Sequence, residues 1–176
     1  MSGLFSHTPA NGEVSTDRPN LRVSVEVPAT TDHAWAGLME HLHLWWPADE
    51  LSRWGVTSFF DLEDNALVET SAQDDENVWG EVVDGEPGRW LELRWRSTGS
   101  DSSTLVRMEV VAGEHGPSAG SAAEEMSGGY SDQDDRATLS VTHSGWTGSD
   151  GQEIYDFYQE FWPLALARYR RFMGGS

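Results

Sequence analysis

The chain has 176 residues, enough for one domain with a real core, and carries 30 acidic residues against 11 basic ones, a net charge of −19. Charge of that sign and size opposes binding to nucleic acid or to an anionic membrane, whose phosphates it would repel. Cysteine and lysine are both absent, which removes disulfides, thiolate nucleophiles and metal ligands, Schiff bases and a phosphate-loop lysine.

Residues 1–19 are polar, with Pro9, Gly12 and Pro19, and read as a flexible N-terminal arm. They hold neither the apolar run nor the basic start of a signal peptide, and no stretch approaches the roughly 20 apolar residues of a membrane span. A cytoplasmic location is the expectation. Residues 20–173 read as a single domain. Leu21–Val27 alternates, with Val23, Val25 and Val27 on one face, and predicts a strand that Pro28 ends. Thr30 or Thr31 caps a helix through about Leu42, with Ala34, Trp35, Leu38, Met39 and Leu42 as its buried stripe. The stretch from Leu42 to Gly55, broken by Pro47, predicts a turn or a short second helix.

Strands follow at Val56–Phe60, Ala66–Thr70, Asn77–Val83, Trp90–Arg96 and Thr104–Val111. Leu91, Leu93 and Trp95 share one face of the fourth of these; Val106, Met108 and Val110 share one face of the fifth. Residues 112–135, rich in Gly, Ser, Ala and acid, read as a flexible loop insertion. Arg136–His143 alternates again, with Ala137, Leu139, Val141 and His143 on one side. The last stretch, Asp150–Met173, predicts a long amphipathic helix. Ile154, Tyr158, Phe161, Trp162, Ala165, Tyr169 and Phe172 form its face, Asp150 and Glu153 its capping box, and Pro163 a kink. The order predicts an α+β fold in which a meander of about six or seven antiparallel strands is covered by the C-terminal helix, with a shorter helix pair after the first strand.

Four stretches resemble the SRPBCC, or START-like, superfamily with its helix-grip, Bet v 1-like fold. They are PATTDHAWAGL (Pro28, Ala29, Trp35, Leu38), the pair Trp45-Trp46, GEVVDGEPGRWLELRW (Gly80, Val82, Pro87, Leu91, Leu93, Trp95), and TLSVTHSGW followed by Tyr155, Tyr158, Trp162, Leu164 and Leu166. Within the superfamily the chain is most similar to proteins resembling the C-terminal domain of the activator of Hsp90 ATPase. The resemblance implies a cavity between curved sheet and long helix. The candidate liners are Trp46, Trp54, Phe60, Trp95, Met108, His143, Trp146, Tyr155, Tyr158 and Trp162.

The expected function is therefore binding of a small hydrophobic, aromatic or lipid-like molecule, without a cofactor. The same ten residues could instead fill a solid core, and His143 could be a core histidine bonded to the backbone. One alternative is an enzyme resembling polyketide cyclases and aromatases, with His143 and Tyr158 moving protons. Another is protein interaction resembling co-chaperone action. A chaperone partner is not expected, since nothing resembles the co-chaperone's separate N-terminal domain. A homodimer stays open. His41 and His43, near Asp49 and Glu50, do not have the spacing from which metal ligands converge, so no metal site is assigned.

Overall fold

The computed structural model describes residues 18–96, 102–113, 136–148 and 150–175. The expected arm and loop insertion fall almost wholly outside these residues.

Seven strands form one antiparallel sheet: β1 (Leu21–Val27), β2 (Phe59–Glu63), β3 (Ala66–Thr70), β4 (Glu76–Glu86), β5 (Trp90–Trp95), β6 (Thr104–Ala112) and β7 (Ala137–Ser144). Their spatial order is β1-β7-β6-β5-β4-β3-β2. A meander therefore runs from β2 to β7, and β1 joins beyond its last strand. Among the described residues three helices complete the fold: α1 (Thr31–Met39), α2 (Leu42–Trp45) and α3 (Gln152–Phe172). This is the helix-grip α+β architecture, with a curved sheet around a long C-terminal helix.

Alternation along the strands becomes alternation of burial. Val106, Met108 and Val110 are buried on β6, and Ala137, Leu139, Val141 and His143 on β7, because successive side chains of a strand point to opposite faces. The sheet bends at β4. Opposite β3, Leu67 pairs with Gly80 and Val68 with Val78, leaving Trp79 as an extra residue. Opposite β5, Val82 pairs with Leu93 and Asp84 with Glu92, leaving Val83 extra. Two bulges in one strand sharpen its curl. The first also lets Trp79 join the concave side beside Gly80. A Cβ at Gly80 would lie 3.1 Å from Trp95 Cε3 and 3.3 Å from Leu93 Cβ, so glycine is what lets Trp95 lie across β4.

The turns carry the residues their geometry needs. Asp64 and Asn65, both at positive φ, close the two-residue β2–β3 hairpin. Glu86-Pro87-Gly88-Arg89, with Gly88 at φ +85° and Arg89 N–H bonded to the Glu86 carbonyl, closes β4–β5.

α1 is capped by Thr30, whose hydroxyl accepts from His33 N–H at 3.1 Å. The expected single helix to Leu42 breaks after Met39, and Leu42–Trp45 forms a separate turn of helix. The expected strand at Val56–Phe60 begins three residues later, at Phe59, because Ser52–Ser58 is folded onto a buried carboxylate described below. α3 runs through Pro163 as one element and buries Tyr155, Tyr158, Phe161, Trp162, Ala165, Leu166 and Tyr169. Its expected capping box does not form. Gly151 is the N-cap, without a side-chain cap bond. Asp150 instead turns back to accept from Thr147 N–H at 2.7 Å and from the Ser102 hydroxyl, and these partners hold the β7–α3 connection. Among the described residues no helix is long and apolar enough to cross a membrane.

Candidate functional site

The half-barrel has two ends. At one, Trp95 pairs with Thr104 and Leu21 with His143. At the other, Val27 and Ala112 flank Ala137, and Leu91 faces Gly85.

The first end is filled by the aromatic set. Trp95 meets Tyr158, Trp162, His143, Trp46 and Trp79 at centroid distances of 5.8–6.4 Å. His143 lies 4.3 Å from Trp146 and 4.9 Å from Tyr158. Indole and phenol groups need partners when buried, and most find them within the protein. The Trp95 indole N–H donates to the Tyr158 hydroxyl at 2.8 Å. Trp146 donates to the His143 carbonyl at 3.0 Å, and the Tyr155 hydroxyl to the Pro19 carbonyl at 3.0 Å. The Trp46 N–H is buried without an acceptor. Its ring sits edge-on to Phe161 and Trp162, at 5.5 and 6.2 Å.

His143 is 0% exposed, and both of its nitrogens are engaged. Trp162 Nε1–H donates to Nδ1 at 3.0 Å, which leaves the ring proton on Nε2 to donate to Thr104 Oγ1 at 2.7 Å. Burial drives its pKa down to about 3, against a weaker upward pull from the Asp150 carboxylate. It is a neutral imidazole wired into the core by side chains; in the alternative core reading its partner was the backbone.

The remaining candidates divide. Phe60 and Met108 are buried core residues. Trp54 is half-buried on the Ser52–Ser58 segment, under the Arg53 guanidinium at 5.7 Å. Tyr155, Tyr158 and Trp162 border a depression of about 400 Å³ between α3 and the outer edge of β1.

A larger hollow, of about 500 Å³, lies at the second end of the half-barrel, between α1 and the β4–β5 hairpin. Trp35 and Met39 of α1 form one wall; Leu62, Val82 and Leu91 of the sheet form the other. α1 is fixed above it by the Tyr169 hydroxyl, which donates to the Ala34 carbonyl at 2.7 Å, and by Trp45, whose N–H donates to the Gly37 carbonyl at 3.0 Å. Leu62 and Leu91 continue the strand faces that carry Phe60 and Leu93-Trp95. None of the ten candidate residues lines this hollow. Its signal in the sequence was the phase of Leu62, Val82 and Leu91, each two residues from a core position on its own strand.

Sequence reasoning also missed Glu69. It is 0% exposed on β3, in phase with Leu67. Its carboxylate accepts from the Ser52 hydroxyl, the Ser58 hydroxyl at 2.6 Å, Arg53 N–H at 3.0 Å and Trp79 Nε1–H at 2.8 Å. Burial pushes its pKa up, and these donors outweigh burial and hold it below the usual range. The site is structural: it pins the Ser52–Ser58 segment to the sheet. The His43 ring lies tilted against Phe59 at 4.9 Å, and among the described residues no group of three or more His, Asp or Glu could hold a metal.

A curved antiparallel sheet closed on a C-terminal helix, with an apolar hollow at one end, defines a helix-grip domain. No family model and no curated protein sequence matches the chain. Solved structures do. XoxI from Bacillus cereus superposes with a TM-score of 0.57 at 10% identity, over 89% of this chain and 96% of its own. Aha1 from Colwellia psychrerythraea, solved as a dimer, gives 0.53 at 12% identity over 89% and 96%. DynU16, a protein of the dynemicin biosynthetic locus, gives 0.51 at 21% identity, and the match spans 89% of this chain but 47% of DynU16. Likeness at these identities establishes the fold and nothing finer.

Proposed function

We propose that the protein binds a small hydrophobic molecule in the hollow between α1 and the β4–β5 hairpin. The observation that carries this reading is the hollow itself: about 500 Å³ walled by Trp35, Met39, Leu62, Val82 and Leu91, within the size range and lining of small-molecule sites. In this reading the expected aromatic set is the rigid wall behind the ligand, with Phe60 and Trp95 continuing the strands that Leu62 and Leu91 belong to. The cyclase-like alternative asks His143 for a free nitrogen. The bonds to Trp162 and Thr104 and the depressed pKa favour a positioning role within the core instead.

The test is titration with N-phenyl-1-naphthylamine, a neutral apolar dye, followed by its fluorescence. Saturable binding is expected, and Met39→Trp, which fills the hollow from the helix side, should weaken it at least tenfold with the circular dichroism unchanged. Absence of saturable binding, or equal binding by a folded Met39→Trp variant, would overturn the reading.

A second reading has its own observation. Leu44, Val56 and Phe59 are 59%, 71% and 45% exposed, and Phe59 begins β2, the last strand of the sheet among the described residues. Apolar side chains next to an edge strand suit a protein contact, and a second copy of this chain is the occupant in this reading. Sedimentation should show a dimer that Phe59→Glu dissociates; a monomer at tens of micromolar would end it.

A further inference from the structure

We infer that the ligand of the α1 hollow is a cationic amphiphile, an apolar ring-sized body carrying one ammonium group that sits against Asp84. This rests on the binding reading above and narrows it. The charged side chains lining the hollow are Asp84 and Glu86, and no arginine lines it. All eleven basic residues of the chain are arginines and all lie among the described residues, so no other side-chain cation of this kind is left to reach the hollow. Glu86 is partnered by Arg89 at 3.4 Å. Asp84 accepts from the N–H of Gly85 at 2.8 Å and has no arginine within ion-pair distance. The neighbouring cations on β5 and β6 are committed elsewhere, Arg94 to Glu81 and Arg107 to Glu109.

The aromatic surface adds to this. Arg107 lies 3.9 Å from the Trp90 ring, so that ring already carries a cation. Trp35, on the opposite wall, lines the hollow and meets no other ring or guanidinium among the described residues, so no arginine already occupies its ring. Over the whole molecule, a net charge of −19 raises the local concentration of cations and lowers that of anions. An acid-ended ligand, such as a fatty or aromatic carboxylate, would enter a negative field and find no guanidinium to pair with. A neutral ligand would gain only the apolar walls. An amine gains the walls, Asp84 and Trp35 together.

The experiment compares three probes with one ring system: 1-naphthylmethylamine, 1-naphthalenemethanol and 1-naphthoic acid, titrated by calorimetry at pH 7 and low salt. The amine should bind about three- to tenfold tighter than the alcohol, as expected for one exposed carboxylate plus a cation–π contact, and the acid more weakly than either. Salt at about 0.5 M should shrink the amine-to-alcohol ratio. Asp84→Asn should bring that ratio close to one. Glu153→Gln with Glu160→Gln, on the N-terminal half of α3, should leave it as in the wild type, which separates a local carboxylate from the general field. If the alcohol binds and the amine binds no tighter, or if Asp84→Asn leaves the ratio unchanged, the cation assignment fails and the binding reading stands. If no probe binds, both fail.

Discussion

His143 shows how far burial can redirect a residue whose chemistry suggests proton transfer. At the end of an apolar strand face an imidazole could serve a ligand or a reaction. Enclosed by Trp146, Tyr158 and Trp162, it becomes a neutral hydrogen-bond bridge between β6 and α3. The linkage has a definite sign. The folded pKa of about 3 lies below the ordinary histidine value of 6.5, so between those pH values the unfolded chain binds the extra proton. The stability from this group is complete above pH 6.5 and is lost as pH falls toward 3, with a slope approaching about 1.4 kcal/mol per pH unit. Melting temperatures measured from pH 6.5 to 4.5 should therefore fall less steeply for His143→Gln than for the wild type. Equal slopes would show that the imidazole is not held neutral.

Glu69 is the opposite case, an ionised carboxylate that the interior accepts because its partners are all donors. Glu69→Gln turns an amide toward groups that need an acceptor. It should cost about 2–3 kcal/mol, by analogy with other hydrogen bonds to charged groups, and loosen Ser52–Ser58 in hydrogen exchange. A change below about 0.5 kcal/mol, the scale of an ordinary surface substitution, would remove it as the anchor of that segment.

Among the elements, β4 decides the shape of the interior. Gly80→Ala places a methyl group 3.1 Å from the Trp95 ring, and neither the sheet nor the buried indole can yield easily. A loss of about 1–3 kcal/mol is expected in chemical denaturation. Gly37→Ala on α1 is the instructive contrast. Its Cβ would meet Met173 Sδ at 2.5 Å, but that is the far end of a flexible side chain, and a smaller loss is expected. If the two variants are equally stable, Trp95 does not depend on Gly80. Element boundaries were readable where a single periodicity operated, as on β1, β6 and β7. They were misread where a side chain found a distant partner. Glu69 draws in the residues before β2, and Asp150 serves Thr147 and Ser102 rather than the first turn of α3.

Charge governs the behaviour of the whole molecule in solution. With 30 acidic residues against 11 arginines, self-repulsion opposes the compact state, and salt screens it. Raising sodium chloride from about 10 mM to 0.5 M, a range that shortens the Debye length severalfold, should raise the melting temperature by a few degrees. A fall on adding salt would mean that the exposed pairs, such as Arg168 with Asp49, matter more than the net charge.

Periodicity of apolar residues determined the strands, the concave face and the long helix, because a residue's phase along a strand or helix is a local property. The same patterns could not reveal where the enclosed space would be left. Volume depends on how side chains from distant segments meet: Trp95 crosses Gly80, Trp162 reaches His143, and Tyr169 holds α1. Those encounters close one end of the half-barrel and leave the other open beneath Trp35 and Met39.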